Sequence, residues 1–275
     1  MIDDDTEAAR PPREKGDREM DAKMLDGKVA IISGASYGMG RTMAELFAEE
    51  GAKVVMTARG KEKLDEAVKG ITDKGQEAVG VVADSGKLED VQRVIETALE
   101  TYGDLDIVIN NAGIGEQTII DEMSDEWAEH VLNTNVIGPM RYIRESLKVF
   151  LPKNEGCIIN ISSVNGARPF CGAAYTSSKG ALDTLTKNVA MRLVETDIRI
   201  NAVAPGATVT PAHLANKEGQ QPGGSKMLGY SGHYVYFPGP ECDPMDQAYA
   251  CLFLASKMGR HIKGQVIQVC NGAFL

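Results

Sequence analysis

Cysteine is scarce in this 275-residue sequence, and tryptophan occurs once. The five cysteines, at positions 157, 171, 242, 251 and 270, are odd in number and show no C-x-x-C spacing. Nothing in that pattern suggests a disulfide framework, so reduced thiols in a cytoplasmic protein are expected. Histidine is scarcer still: four residues lie scattered at 130, 213, 233 and 261, and no metal site is expected. Positive charge is outweighed, with 29 Lys and Arg against 39 Asp and Glu and a formal net charge of −10. A nucleic-acid partner requires a basic face to neutralise phosphates, so that class of function is set aside. The same balance weighs against an acidic carrier protein as substrate. No run approaches the ~20 apolar residues of a membrane span, and no signal-peptide pattern opens the chain, so no membrane partner is expected.

What is present is an ordinary globular composition, 43% hydrophobic and 25% charged, at a length that suits one sizeable α/β domain. Residues 1–23 carry Asp3-Asp4-Asp5, a Pro11-Pro12 pair and alternating charges with little to bury. They are expected to form a flexible amino-terminal extension, a loose tail or an interaction arm, with the domain spanning 24–275. Within it, short apolar runs recur at Val29–Ile32, Val54–Met56, Val79–Val82, Ile107–Ile109, Ile158–Ile161, Ile198–Val203 and Val266–Val269. Helical patterns separate them, for example Leu64/Ala67/Val68/Ile71 and Val91/Val94/Ile95/Ala98. Seven strands alternating with helices predict a Rossmann-like, doubly wound, seven-stranded parallel sheet with helices on both faces. The rhythm breaks at Pro211–Pro244, which holds five of eleven prolines, six glycines and the aromatics Tyr230, Tyr234, Tyr236 and Phe237. A long loop in a compact domain is usually functional, so residues 211–244 are expected to form a substrate lid.

Two motifs carry chemistry. After the first strand comes Ser33-Gly34-Ala35-Ser36-Tyr37-Gly38-Met39-Gly40. Glycines there serve either a structural βα turn or the close approach of a pyrophosphate to a helix amino terminus. Further on, Ser162-Ser163 precedes Tyr175-Thr176-Ser177-Ser178-Lys179. On a helix over 173–196, Tyr175 and Lys179 lie one turn apart on one face. An ammonium within hydrogen-bonding range would favour the ionised phenol, and a nearby serine can bond the oxygen that the phenol protonates.

With these residues in place the chain resembles the short-chain dehydrogenase/reductase family over about residues 25–275. The glycine loop, Asn110-Asn111-Ala112-Gly113, Asn135, Ser163, Tyr175 with Lys179, and Asn201-Ala202-Val203-Ala204-Pro205-Gly206 occur in the family's order. The resemblance implies a catalytic set of Ser163, Tyr175, Lys179 and Asn135. In it Tyr175 is the general acid or base and Ser163 polarises the carbonyl, while Lys179 holds the nicotinamide ribose and lowers the phenol pKa. Asn135 would anchor a proton-relaying water, or else serve as a tie between strands. The implied cofactor contacts are Gly34, Ser36, Tyr37, Gly38, Met39, Gly40, Arg59, Asp84, Ser85, Asn111, Ala112, Gly113, Tyr175, Lys179, Pro205, Gly206, Thr208 and Thr210. Ala58 stands where an acid would bind the ribose 2′-hydroxyl of NAD, and Arg59 follows it. That pair points to NADP(H), with NAD(H) the alternative and Lys61 and Arg41 as candidate helpers.

Beside the catalytic set, Ser163, Tyr175, Asn165 and Phe170 are expected at the substrate. The aromatics of residues 230–237, with Phe170, suggest a lipophilic cyclic ketone, steroid- or flavonoid-like, interconverted with its secondary alcohol; the alternative is that these aromatics pack the lid against its own domain. The alternatives are a 3-oxoacyl-thioester reductase acting on an acyl carrier protein, or a non-catalytic nucleotide-binding scaffold. Trp127 is expected in core or subunit interface, Asp106 as a strand-end cap, and Asn110 as a stabiliser of the central sheet. The family pattern implies a homotetramer or homodimer through helices near 122–150 and 173–196. The carboxy-terminal Cys270-Asn271-Gly272 departs from the family's usual Asp- or Asn-Gly-Gly, and Asn271 is expected to tolerate the left-handed turn.

Overall fold

A computed structural model describes residues 23–233 and 240–272. The extension expected over 1–23 therefore falls, except for Lys23, outside the described residues, as do Tyr234, Tyr236 and Phe237. Each apolar run forms a strand: β1 (Val29–Ser33), β2 (Lys53–Ala58), β3 (Ala78–Val82), β4 (Ile107–Asn110), β5 (Glu155–Ile161), β6 (Asp197–Pro205) and β7 (Val266–Val269). They make one sheet in the order β3-β2-β1-β4-β5-β6-β7, and every pairing is parallel. The five central strands are apolar runs because both faces are covered, whereas the edge strands β3 and β7 are only partly buried. Alternate residues supply the two faces. Ala30 and Ile32 pack with Met43 and Phe47 of α1 (Gly38–Glu49), with α2 (Lys61–Thr72) and with α9 (Pro244–Ala255). Val29 and Ile31 pack against α3 (Leu88–Tyr102), α5 (Gly138–Lys153) and α6 (Ala173–Arg192). Ile31 and Ile32 are wholly buried, and each such side chain contributes about 1.5–3 kcal/mol.

Asp106 closes the sheet's amino-terminal edge as expected. Its carboxylate accepts from the Val29 N–H at 2.9 Å and from the Lys28 and Lys153 ammoniums. Burial alone would push its carboxyl up, but these partners together hold it below its ordinary range. Asn110 donates to Asn160 across β4 and β5, also as expected. The chain order reverses between β1 and β4, so their carboxyl ends open a crevice at the switch point.

Two local features differ from the sequence reading. The helical region near 122–150 is α4 (Asp125–Leu132), a five-residue π turn (Asn133–Ile137) and then α5. Asn135 is buried within this wider turn, and such turns concentrate at functional sites. The stretch expected as a loop over 211–244 contains α7 (Pro211–Lys217) and α8 (Lys226–Ser231). Pro211 opens a helix there because it sits at the first helical position, where its missing N–H is no loss. Thr210 caps that helix through the His213 N–H at 3.1 Å.

Candidate active site

Ser33, at the end of β1, joins the two halves of the crevice. Its hydroxyl donates to the Ile109 carbonyl and accepts from the Asn111 and Ala112 N–H groups at 3.0 and 3.1 Å. The Asn111 amide then holds the Ser33 and Gly34 carbonyls. Gly34 has a left-handed φ of 65°, and a Cβ on it would lie 2.9 Å from the Ala112 Cα. Gly40 is tighter: a Cβ would stand 2.2 Å from the Gly34 carbonyl oxygen and 2.5 Å from the Asn111 amide nitrogen. Gly40→Ala is therefore expected to spread the loop, lower the melting temperature and abolish nucleotide binding. Titration of nicotinamide cofactor fluorescence checks this; unchanged affinity would show that the loop is no cradle.

The packed glycines let α1 begin at the floor of a cleft of about 350 Å³. Among the described residues no side chain caps α1, and no acid lies in its first turn. The amino-terminal N–H groups and the positive end of the helix thus suit a phosphate. Gly34, Ser36, Tyr37, Gly38, Met39, Gly40, Arg59, Asp84, Ser85, Asn111, Ala112, Gly113 and Thr210, all expected at the cofactor, line this cleft. Lys63 lines it too and lies 5.8 Å from the centre of the Tyr37 ring. Sequence reading named Lys61 and Arg41 instead. Lys61 is paired with Asp65, and Arg41 with Glu45 and Glu66. Helical phase separates Lys61 from Lys63: two residues along a helix is nearly the opposite face. Beside Thr57 and Ser85 of the cleft lining, the Tyr142 phenol is fully buried, and burial pushes its pKa up to about 12.

Beyond Gly113, β5 runs out into Ser162 and Ser163, which, like Tyr175 and Lys179, adjoin the cleft without being among its lining residues. Ser162 turns its hydroxyl to the Lys179 carbonyl at 3.3 Å, whereas Ser163 faces the Tyr175 phenol. Burial raises the phenol above its ordinary pKa, opposed in part by the Ser163 hydrogen bond. The net direction is thus upward, whereas the expected effect of Lys179 alone is downward. The ammonium lies 5.6 Å from the centre of the Tyr175 ring and donates to the Ile161 carbonyl at 2.8 Å. Burial lowers the pKa of Lys179 to about 8, with Asp183 one turn on working against that fall. The Asn135 amide grips Ile114 from both sides, accepting from its N–H at 2.8 Å and donating to its carbonyl at 2.9 Å. It also donates to Ser178 on α6 at 3.0 Å, so both amide hydrogens are engaged. A Cβ on Gly113 would lie 3.4 Å from the Asn135 Oδ1 and 3.6 Å from the Lys179 Nζ, which places both groups at the cleft wall.

Several expected contacts are turned inward. The Thr208 hydroxyl donates to the Gly206 carbonyl and accepts from Gln247, and the residue is 4% exposed. Pro205 and Gly206 end β6 against Val269, where a Cβ on Gly206 would meet Cys270 at 2.7 Å. The Asn165 amide donates to Ser163 and accepts from the Phe170 and Cys171 N–H groups, which shapes the loop beside Ser163. The Phe170 ring packs with Val164 and Cys270 and is only 8% exposed. Asn271 does adopt a left-handed φ of 50°. Trp127 is half-buried against His130, its indole N–H without a partner among the described residues. The sequence reading missed Glu116, a fully buried acid beside Tyr175.

The model of the short chain dehydrogenase family matches residues 28–221. The chain is 32% identical over 256 residues to 3beta-hydroxysteroid dehydrogenase 2 of Eggerthella lenta, covering 90% of this chain and 95% of that one. The 3-ketoacyl-(acyl-carrier-protein) reductase of Brucella melitensis, solved with NADH, superposes with a TM-score of 0.80 at 32% identity, covering 91% of this chain and all of that one. A single-substitution variant of the actinorhodin polyketide ketoreductase, solved with NADPH, also superposes with a TM-score of 0.80, at 28% identity over 90% of this chain and 97% of that one. Sheet order, glycine loop and family match agree, and this chain is an oxidoreductase belonging to the short-chain dehydrogenase family.

Proposed function

We propose that the protein interconverts a ketone and a secondary alcohol with NADP(H) as hydride carrier. The observation that carries this reading is the convergence of the Ser163 hydroxyl, the Tyr175 phenol and the Lys179 ammonium beside a glycine-lined cleft. When bound, the nicotinamide supplies a hydride to the carbonyl carbon or accepts one from the alcohol. Tyr175 donates its phenolic proton to the carbonyl oxygen, which Ser163 holds by a hydrogen bond. The phenol carries its proton at neutral pH, as the acid role requires. Lys179 stabilises the phenolate left behind and holds the ribose. Asn135 fixes the Ile114 wall and the start of α6 against each other. Consumption of NADPH in the presence of a panel of ketones tests the reading, and an enzyme inert to all of them would sink it.

The choice of NADP(H) rests on two cations. Arg59 and Lys63 line the cleft without an ion pair among the described residues, in a chain whose net charge is −10. Ala58, in the position of the discriminating acid, offers nothing to repel a phosphate.

The pH dependence follows from Lys179. Its ammonium is charged below its pKa of about 8 and neutral above it. The kcat/KM for NADPH, which reports the free enzyme, is expected to fall as pH rises through that value. A profile flat into strongly alkaline solution would remove Lys179 from the mechanism.

For the substrate we favour a lipophilic cyclic ketone. Support comes from Tyr230, which is 62% exposed at the end of α8, and from the similarity to a steroid dehydrogenase. The similarity to an acyl-carrier-protein reductase favours a 3-oxoacyl thioester as the second reading. Comparing kcat/KM for a cyclic ketone with that for a 3-oxoacyl thioester separates the two. Leu132, Ile137 and Met140, exposed along α4, the π turn and α5, support a homo-oligomer through that face, which light scattering tests.

A further inference from the structure

We propose that Glu116 is a positioning residue for this reaction, its buried carboxylate capping α6 at Tyr175 and fixing the phenol relative to Ser163. The proposal rests on the reading of Tyr175 as the acid. Glu116 is fully buried, and an acid in that state needs strong donors. Its Oε1 accepts from the Tyr175 N–H at 2.9 Å, and its Oε2 from the Thr118 N–H at 2.5 Å. Its main-chain oxygen accepts from the Gly172 N–H at 3.0 Å. The first-turn N–H groups of a helix have no partner within it, and the helix end favours an anion.

The local sequence is arranged for a cap brought from elsewhere. Gly172, in the N-cap position of α6, has no side chain with which to cap. A Cβ there would lie 2.1 Å from the Glu116 Oε2. The glycine is thus what admits a carboxylate from 59 residues away. Glu116 also stands two residues beyond Ile114, which Asn135 holds from both sides. One short segment therefore ties the cleft wall to the main chain of the phenol. On its other side that segment is held by the 211–244 region. The Gln117 N–H donates to the Pro222 carbonyl at 2.8 Å, and a Cβ on Gly223 would meet the Thr118 nitrogen at 2.2 Å. Removing the cap frees the first turn of α6 to shift, and a shift of an ångström is enough to part the phenol from the oxygen that Ser163 holds.

The test compares wild type with Glu116→Ala, Glu116→Gln and Glu116→Asp in NADPH-dependent reduction of a ketone that the wild type accepts. Glu116→Ala is expected to lower kcat by roughly tenfold to a hundredfold while the NADPH dissociation constant stays within about twofold. Glu116→Gln keeps one acceptor at the Tyr175 N–H and is expected to restore most of the loss. Should the alanine variant not fold, the other two decide. Glu116→Asp draws the carboxylate back by one methylene and is expected to be slower than Glu116→Gln. A role confined to stability would lower the melting temperature and leave kcat per folded molecule unchanged in all variants. That result overturns the proposal while the wild type remains active. An inert wild type instead overturns the ketone-reductase reading, and with it the reaction that the cap serves.

Discussion

Tyr175→Phe is expected to lower ketone reduction by about a thousandfold, within the range of a positioned proton donor, while NADPH binding stays nearly unchanged. The substitution removes one oxygen and keeps the ring, so the packing around α6 and the stacking of Lys179 on its face survive. Ser163 remains to hold the carbonyl, but nothing is left to protonate it. A thermal melt close to that of wild type would exclude unfolding as the cause. Turnover retained within a few-fold would show that another group supplies the proton and that the convergence with Ser163 is incidental.

Arg59→Ala is expected to weaken NADPH by roughly tenfold to a hundredfold, the equivalent of one charge-assisted hydrogen bond of about 1.5–3 kcal/mol. NADH affinity should hardly change, because its ribose hydroxyl offers no charge to pair. Lys63→Ala should act in the same direction. The double variant is expected to depart from simple addition, since both cations would meet one phosphate. Equal losses for NADPH and NADH would mean that Arg59 acts on adenine or on the fold, and the cofactor assignment would fall.

The strands were legible because runs rich in β-branched residues leave an apolar signature even at the half-buried edges β3 and β7, and all seven folded where they stood. Tyr175, Lys179 and the glycine loop were legible because their spacing is local. What escaped was either a fine point of phase or a contact distant in sequence. The π turn at Asn135 adds a fraction of a turn to a helical region without disturbing its apolar pattern. The helices within 211–244 span seven and six residues and begin in a glycine- and proline-rich context that reads as loop. Lys63, not Lys61, reaches the cleft because of its angle around α2. The thirteen cleft residues named from sequence share a lining with Lys63, while Asn165 finds partners within its own loop, Phe170 packs partly on Cys270, and Thr208 bonds partly to Gln247 of α9. Glu116 was invisible because its partner is a backbone N–H on another element. The phenol pKa moves up rather than down because burial is the largest influence on it, and that burial is set by side chains distant in sequence.

In the proposed reaction a hydride passes from NADPH to a ketone carbon and a proton from Tyr175 to its oxygen. The most direct measurement follows the label from NADPH deuterated at the transferred position, by mass spectrometry of the product. The account predicts a secondary alcohol with deuterium on the carbinol carbon, formed by wild type and nearly absent with Tyr175→Phe. NADPH consumed without deuterium in an alcohol, or labelled alcohol formed equally well by the variant, would contradict it.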